Sequence, residues 1–150
     1  MCNLVTSIAE RWFDCVLENY PANTAQFVRE QADRFRNPVG YTFRQSLQIL
    51  AEEVLGGMDR TRIAQALDSI IRIRAVQDFS AAEAVGFVFL LRNAVAAEPE
   101  RRTPQFHENV DTVALMAFDV YMNCREQIAA IRGREAWRCS SGVTRDSCGS

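Results

Sequence analysis

The chain of 150 residues is expected to be all-α, a single domain of about six helices ending in a long C-terminal helix. Three observations predict this. Apolar residues recur at three- and four-residue spacing through most of the sequence. Proline, glycine and asparagine breaks fall between those stretches, and no segment alternates with period two for long enough to make a strand. A composition of 48% hydrophobic and 24% charged residues suits one globular core, and no internal repeat divides it.

The first helix is expected over Leu4–Tyr20, with Leu4, Ile8, Trp12, Cys15 and Val16 on an apolar arc and Glu10, Arg11, Asp14 and Glu18 opposite. Pro21 ends it. Asn23 can cap a second helix carrying Phe27, Val28, Ala32 and Phe35, which stops at "NPVG", where Pro38 forbids continuation. A third runs from about Thr42 to Leu55 and stops at Gly56–Gly57; Asp59 caps a fourth. Ser80 and Glu83 form an S-x-x-E capping box that opens a fifth helix, apolar nearly all round and therefore central, reaching about Ala97. Pro99 and Pro104 bracket a loop. The sixth helix extends from about Pro104 to Ile131, with His107, Val110, Ala114, Ala117, Tyr121, Cys124, Ile128 and Ile131 in unbroken 3-4 spacing. The helical domain is therefore set at 1–133. Residues 134–150, Ser/Gly/Arg/Cys-rich without apolar period, are read as a flexible tail.

Several function classes are disfavoured. A net charge of −2 gives no global basic field for nucleic acid, and the tail arginines Arg132, Arg134, Arg138 and Arg145 lack a stacking platform. All 17 basic residues are arginine, which excludes a lysine nucleophile in this chain. The N-terminus lacks the pattern of a signal peptide. The most apolar run, Ala84–Leu91, is far shorter than the ~20 residues that span a bilayer, so the expected location is the cytoplasm without membrane insertion. Cys15 and Cys124 lie on apolar arcs and Cys2, Cys139 and Cys148 near the ends, with no zinc or redox spacing. Core and incidental thiols are expected, a tail disulfide under oxidation being the alternative.

No P-loop, G-x-G-x-x-G, G-x-S-x-G or H-E-x-x-H motif occurs. Glu52–Glu53 reads as solvated surface. The single histidine, His107, stands among Gln105, Glu108 and Asn109 at a helix start, which suits a surface or dimer face better than an axial haem position. Non-enzymatic, with no metal and no cofactor, is the expectation.

One pattern calls for a partner. At about 100° per residue, Arg74 falls on the arc of Ile63, Leu67 and Ile70, whereas Arg72 falls on the opposite side. Arg74 is thus expected to be buried, and a buried guanidinium requires polar partners. Asp78 and Gln77 lie on the same side of the helix, and Asp33 is a longer-range candidate. Arg74, Gln77, Asp78 and Asp33 form either a structural ion-pair cluster or the polar spot of a small anionic-ligand pocket.

Four segments, "ERWFDCVLENYP" (10–21), "DRFRNPVGYTF" (33–43), "IIRIRAVQDFS" (70–80) and "AVGFVFLLR" (84–92), together resemble the N-terminal domain of the RsbRD family, co-antagonists of the RsbT kinase in bacterial stress signalling. The resemblance covers about residues 4–95, and the last helix is compatible. It implies a globin-like helical sensory domain that has lost its haem, dimeric, and joined in its relatives to a STAS or kinase output module. Here a stand-alone form is expected, keeping the sensory and protein-interaction half. The function expected is a signal-transduction regulator acting through an unidentified regulatory protein partner. The alternative is a globin-like carrier or sensor of haem, a tetrapyrrole or another small apolar or anionic ligand. A homodimer is expected through Tyr121, Cys124, Ile128 and Ile131, since a helix of about 28 residues spans roughly 42 Å, more than one such core needs. A second apolar edge, Phe106, Val113, Phe118 and Val120, widens that helix.

Overall fold

A computed structural model describes residues 2–18, 38–77 and 79–140. Among these, α-helices run over Cys2–Leu17 (α1), Pro38–Val54 (α2), Arg60–Val76 (α3), Ala81–Val85 (α4), Leu91–Ala94 (α5) and Pro104–Ser140 (α6). Single 3-10 turns occupy Gly86–Val88 and Pro99–Arg101. No strand occurs among the described residues, and the fold is all-α. The helix expected over 23–35 lies outside them.

Two helix starts follow directly from local chemistry. The Asp59 carboxylate accepts from the amides of Thr61 (3.0 Å) and Arg62 (3.3 Å), capping α3. Ser80 and Glu83 exchange the two bonds of a capping box at α4, each 3.2 Å. Between α2 and α3 the chain reverses in a tight turn. A Cβ on Gly56 would sit 2.7 Å from the Glu52 carbonyl oxygen, and Met58 takes a left-handed φ of 54°. Glu53, expected with Glu52 as solvated surface, is instead buried, and its side chain holds this turn by accepting from the Asp59 amide (2.9 Å) and pairing with Arg62.

Three boundaries differ from expectation. The third helix begins at Pro38 rather than Thr42. Proline is unfavourable inside a helix but well suited to its first position, where the missing N–H would have no partner and φ is preset. The stretch expected as one helix over 80–97 is instead α4, a 3-10 turn and α5. An all-round apolar sequence gives no periodic signal by which to separate a helix from a tightly turned corner. Finally, α6 continues to Ser140, beyond the boundary set at 133. Loss of the apolar stripe ends burial, whereas Ala, Arg and Glu still favour the helix. Residues 141–150 lie outside the described set.

The core is formed where α1 packs on α2, α2 on α3, and α3 on α6. Ile8, Trp12 and Phe13 of α1 meet Leu47 and Leu50 of α2, Ile63, Leu67 and Ile70 of α3, and Phe87 of the corner in one apolar cluster. Two polar bonds fix the corner and the long helix against it. The Trp12 indole donates to the Phe87 carbonyl at 2.7 Å, and the Tyr121 hydroxyl donates to the Phe79 carbonyl at 3.2 Å. Asn109 of α6, also buried, donates to the Val54 carbonyl at 2.9 Å, taking up an acceptor at the C-terminus of α2.

Candidate functional site

Arg74 is fully buried in the last turn of α3, and Arg72 points to water in an i,i+4 ion pair with Asp68 at 2.8 Å. The helical wheel therefore assigned the two arginines correctly. The Arg74 guanidinium donates to the Glu83 carbonyl at 2.6 Å. Among the described residues three rings surround it: Phe79, Phe87 and Phe43, with centres 4.8, 5.5 and 5.8 Å from the guanidinium carbon. Rings present their negative faces to a desolvated cation, which supplements the carbonyl bond. The Glu83 carboxyl is held below its ordinary range, first by its bonds with Ser80 and additionally by the Arg74 charge.

Of the other residues expected here, Gln77 caps the end of α3, its amide donating to the Ile73 carbonyl at 3.1 Å, and its side chain is exposed. Asp78 and Asp33 lie outside the described residues. Sequence reasoning missed the Glu83 carbonyl and the rings. The capping box located Glu83 at the start of α4, but a backbone acceptor leaves no trace in residue type.

The residues expected at a dimer face divide. Tyr121 and Cys124 are buried within the single chain, at 7% and 5% exposure. Burial raises the Cys124 thiol pKa. These two belong to the intramolecular core because the 3-4 arc that carries them is the arc that α6 lays on α3 and α4. Ile128 is partly buried and Ile131 exposed. The second edge divides as well: Phe106 and Val113 are in the core, and Phe118 is exposed.

A different stripe is open. Leu115 (71% exposed), Phe118 (46%) and Met122 (40%) sit at i, i+3 and i+7 of α6, and Trp137 is exposed near its end. Their helical spacing was available in the sequence but was masked by the longer apolar arc on the other side. Beyond Ile128 every residue of α6 through Cys139 is exposed, so the helix projects from the body.

His107 lies at the start of α6, its Nδ1 accepting from Arg92 at 3.1 Å, while Arg92 also bonds Asp111 at 2.7 Å. An open cleft of about 450 Å³ lies between the end of α2 and the start of α6, with Gln105 and Asn109 in its wall. Among the described residues no group of three or more His, Cys, Asp or Glu could hold a metal ion. Among them, too, no helix is long and apolar enough to cross a membrane.

The described residues form an all-α body from which one long, partly apolar helix projects. The chain belongs to the family described as the RsbT co-antagonist protein rsbRD N-terminal domain, which it matches over residues 6–136. That is a family of regulatory signalling domains. No curated protein and no solved structure matches the chain.

Proposed function

We propose that this domain is a non-enzymatic bacterial signalling regulator that acts by protein–protein interaction and functions as a homodimer. The observation that carries this reading is the open stripe Leu115–Phe118–Met122 on a helix that continues well past its own core. Large apolar side chains grouped on one exposed face mark interaction sites more often than scattered single ones do. Membership of the regulatory family supports the same reading. Arg74 is proposed as a structural cation that locks α3 to α4, because it is fully buried and donates across to the Glu83 backbone carbonyl.

Sedimentation of the purified chain tests the homodimer: a mass near twice 17.0 kDa at micromolar concentration is expected. A 17.0 kDa species at high micromolar concentration rejects it. Affinity capture from native lysate, run in parallel with Leu115→Asp, tests the interaction reading, and partners retained equally by both would reject this face. A haemin titration provides the remaining control. A stoichiometric, His107-dependent Soret band would favour a ligand carrier instead.

A further inference from the structure

We infer that the outer face of α6 pairs with the same face of a second copy in parallel orientation, registered by two symmetric Arg125–Glu126 ion pairs. This rests on the homodimeric reading above and adds which face is used, in what direction and at what level.

The argument comes from how charge is distributed beside the apolar stripe. At about 100° per residue, Leu115, Phe118 and Met122 fall within one narrow sector. Arg125 and Arg132 fall along one edge of that sector, Asp119 and Glu126 along the other. The stripe therefore has a basic border and an acidic border. Asp119, Glu126 and Arg132 are exposed and Arg125 is half-buried. Neither Arg125 nor Glu126 takes part in an ion pair among the described residues.

A two-fold axis parallel to the helices sets the left edge of one against the right edge of the other, so basic meets acidic on both sides. A two-fold axis perpendicular to them sets each edge against itself, arginine against arginine. Charges flanking an apolar seam select helix orientation in this way. Arg125 and Glu126 are adjacent in sequence, so they differ in height by only about 1.5 Å. In the parallel pair, Arg125 of each copy meets Glu126 of the other at one level, and the symmetry supplies the contact twice. Further along, the face carries Ala129, Gly133 and Ala136, where two helices can approach closely. A Cβ at Gly133 would meet nothing within 4 Å in the single chain, so the body itself does not require glycine there.

The test is sedimentation equilibrium of the full chain and four variants: Arg125→Glu, Glu126→Arg, the two combined, and Met122→Asp. Urea melts of each accompany it, to confirm folding. Each single reversal replaces two attractions by two repulsions and is expected to weaken the dimer on the order of tenfold. The combined exchange is expected to restore it. Met122→Asp, which charges the seam, is expected to weaken it further. Singles that leave the dimer unchanged, or strengthen it as the antiparallel arrangement requires, would overturn this inference while leaving the homodimer standing. A combined exchange no tighter than the singles would overturn it equally, as would a dimer that survives Met122→Asp. A wild-type chain that stays monomeric rejects the homodimer itself, and the stripe then serves another protein.

Discussion

Replacing Arg74 by alanine should destabilise the domain by about 3–5 kcal/mol, through the joint loss of a charge-assisted bond, ring contacts and buried volume. The structure shows where that loss arises. The guanidinium is fully buried, and its 2.6 Å bond to the Glu83 carbonyl is charge-assisted, a type contributing about 1.5–3 kcal/mol. The surrounding rings add about 0.5–2 kcal/mol at a desolvated site. Truncation also leaves a cavity against Phe79 and Phe87, so these contributions overlap rather than sum. Arg74→Met separates charge from volume: it fills most of the space and should recover part of the loss, leaving the cost of the polar groups that lose the guanidinium, the Glu83 carbonyl among them. Arg72→Ala is the internal control. It removes one solvent-screened i,i+4 pair and should change stability by no more than about 0.5 kcal/mol. Urea denaturation followed by circular dichroism reads all three, with midpoint shifts compared at constant slope. Equal, small shifts for Arg74→Ala and Arg72→Ala would refute the assignment of Arg74 as a buried structural cation.

Ser80→Ala removes the side-chain half of the capping box and should lower stability by about 1 kcal/mol in the same melts. Because the folded Glu83 carboxyl titrates below its ordinary range near ~4.3, its contribution is present above that range and is lost as pH falls through the folded value. Glu83→Gln should therefore be the less stable protein at pH 7, with the gap closing below about pH 4; a gap independent of pH would contradict this. Gly56→Ala should be clearly destabilising, since the new methyl group meets backbone at 2.7 Å, whereas Gly86→Ala, with open space around it, should be tolerated. Cys124, buried and with its thiol pKa raised, should react with a thiol reagent far more slowly in the native protein than in guanidinium, as peptide mapping after labelling will show.

The parts of the structure legible in the sequence are those governed by short-range chemistry. Asp59 and Ser80 cap the helices they were expected to cap, because an N-cap depends on residues within one turn. The separation of Arg72 from Arg74 needed only the helical period. Less was legible where several elements compete for one stretch of chain. The apolar segment 84–95 reads as a helix, yet it must turn beneath Trp12, whose indole takes the Phe87 carbonyl, and so it breaks into short pieces. The 3-4 arc of α6 identified a buried seam without saying whose core it entered. Tyr121 and Cys124 proved to face their own chain, and the open stripe lay on the other side. Burial is a property of the assembled fold, which a single helix's periodicity does not specify.

The length of α6 makes it a lever as well as a wall. It is clamped by Phe106, Val110, Val113, Ala117 and Cys124, all core side chains, by the Tyr121 bond to the corner and by the partly buried Ile128; beyond Ile128 its residues through Cys139 are exposed. From Ile128 to Ser140 the helix advances about 18 Å. A tilt of only about 10° at that fulcrum carries its tip through roughly 3 Å, about the length of a hydrogen bond. Packed cores shift between discrete arrangements rather than deforming smoothly, so a small repacking beneath the Phe79–Phe87 corner would emerge at the far end as a stepwise displacement, and whatever grips that end would register a change that began at a buried arginine.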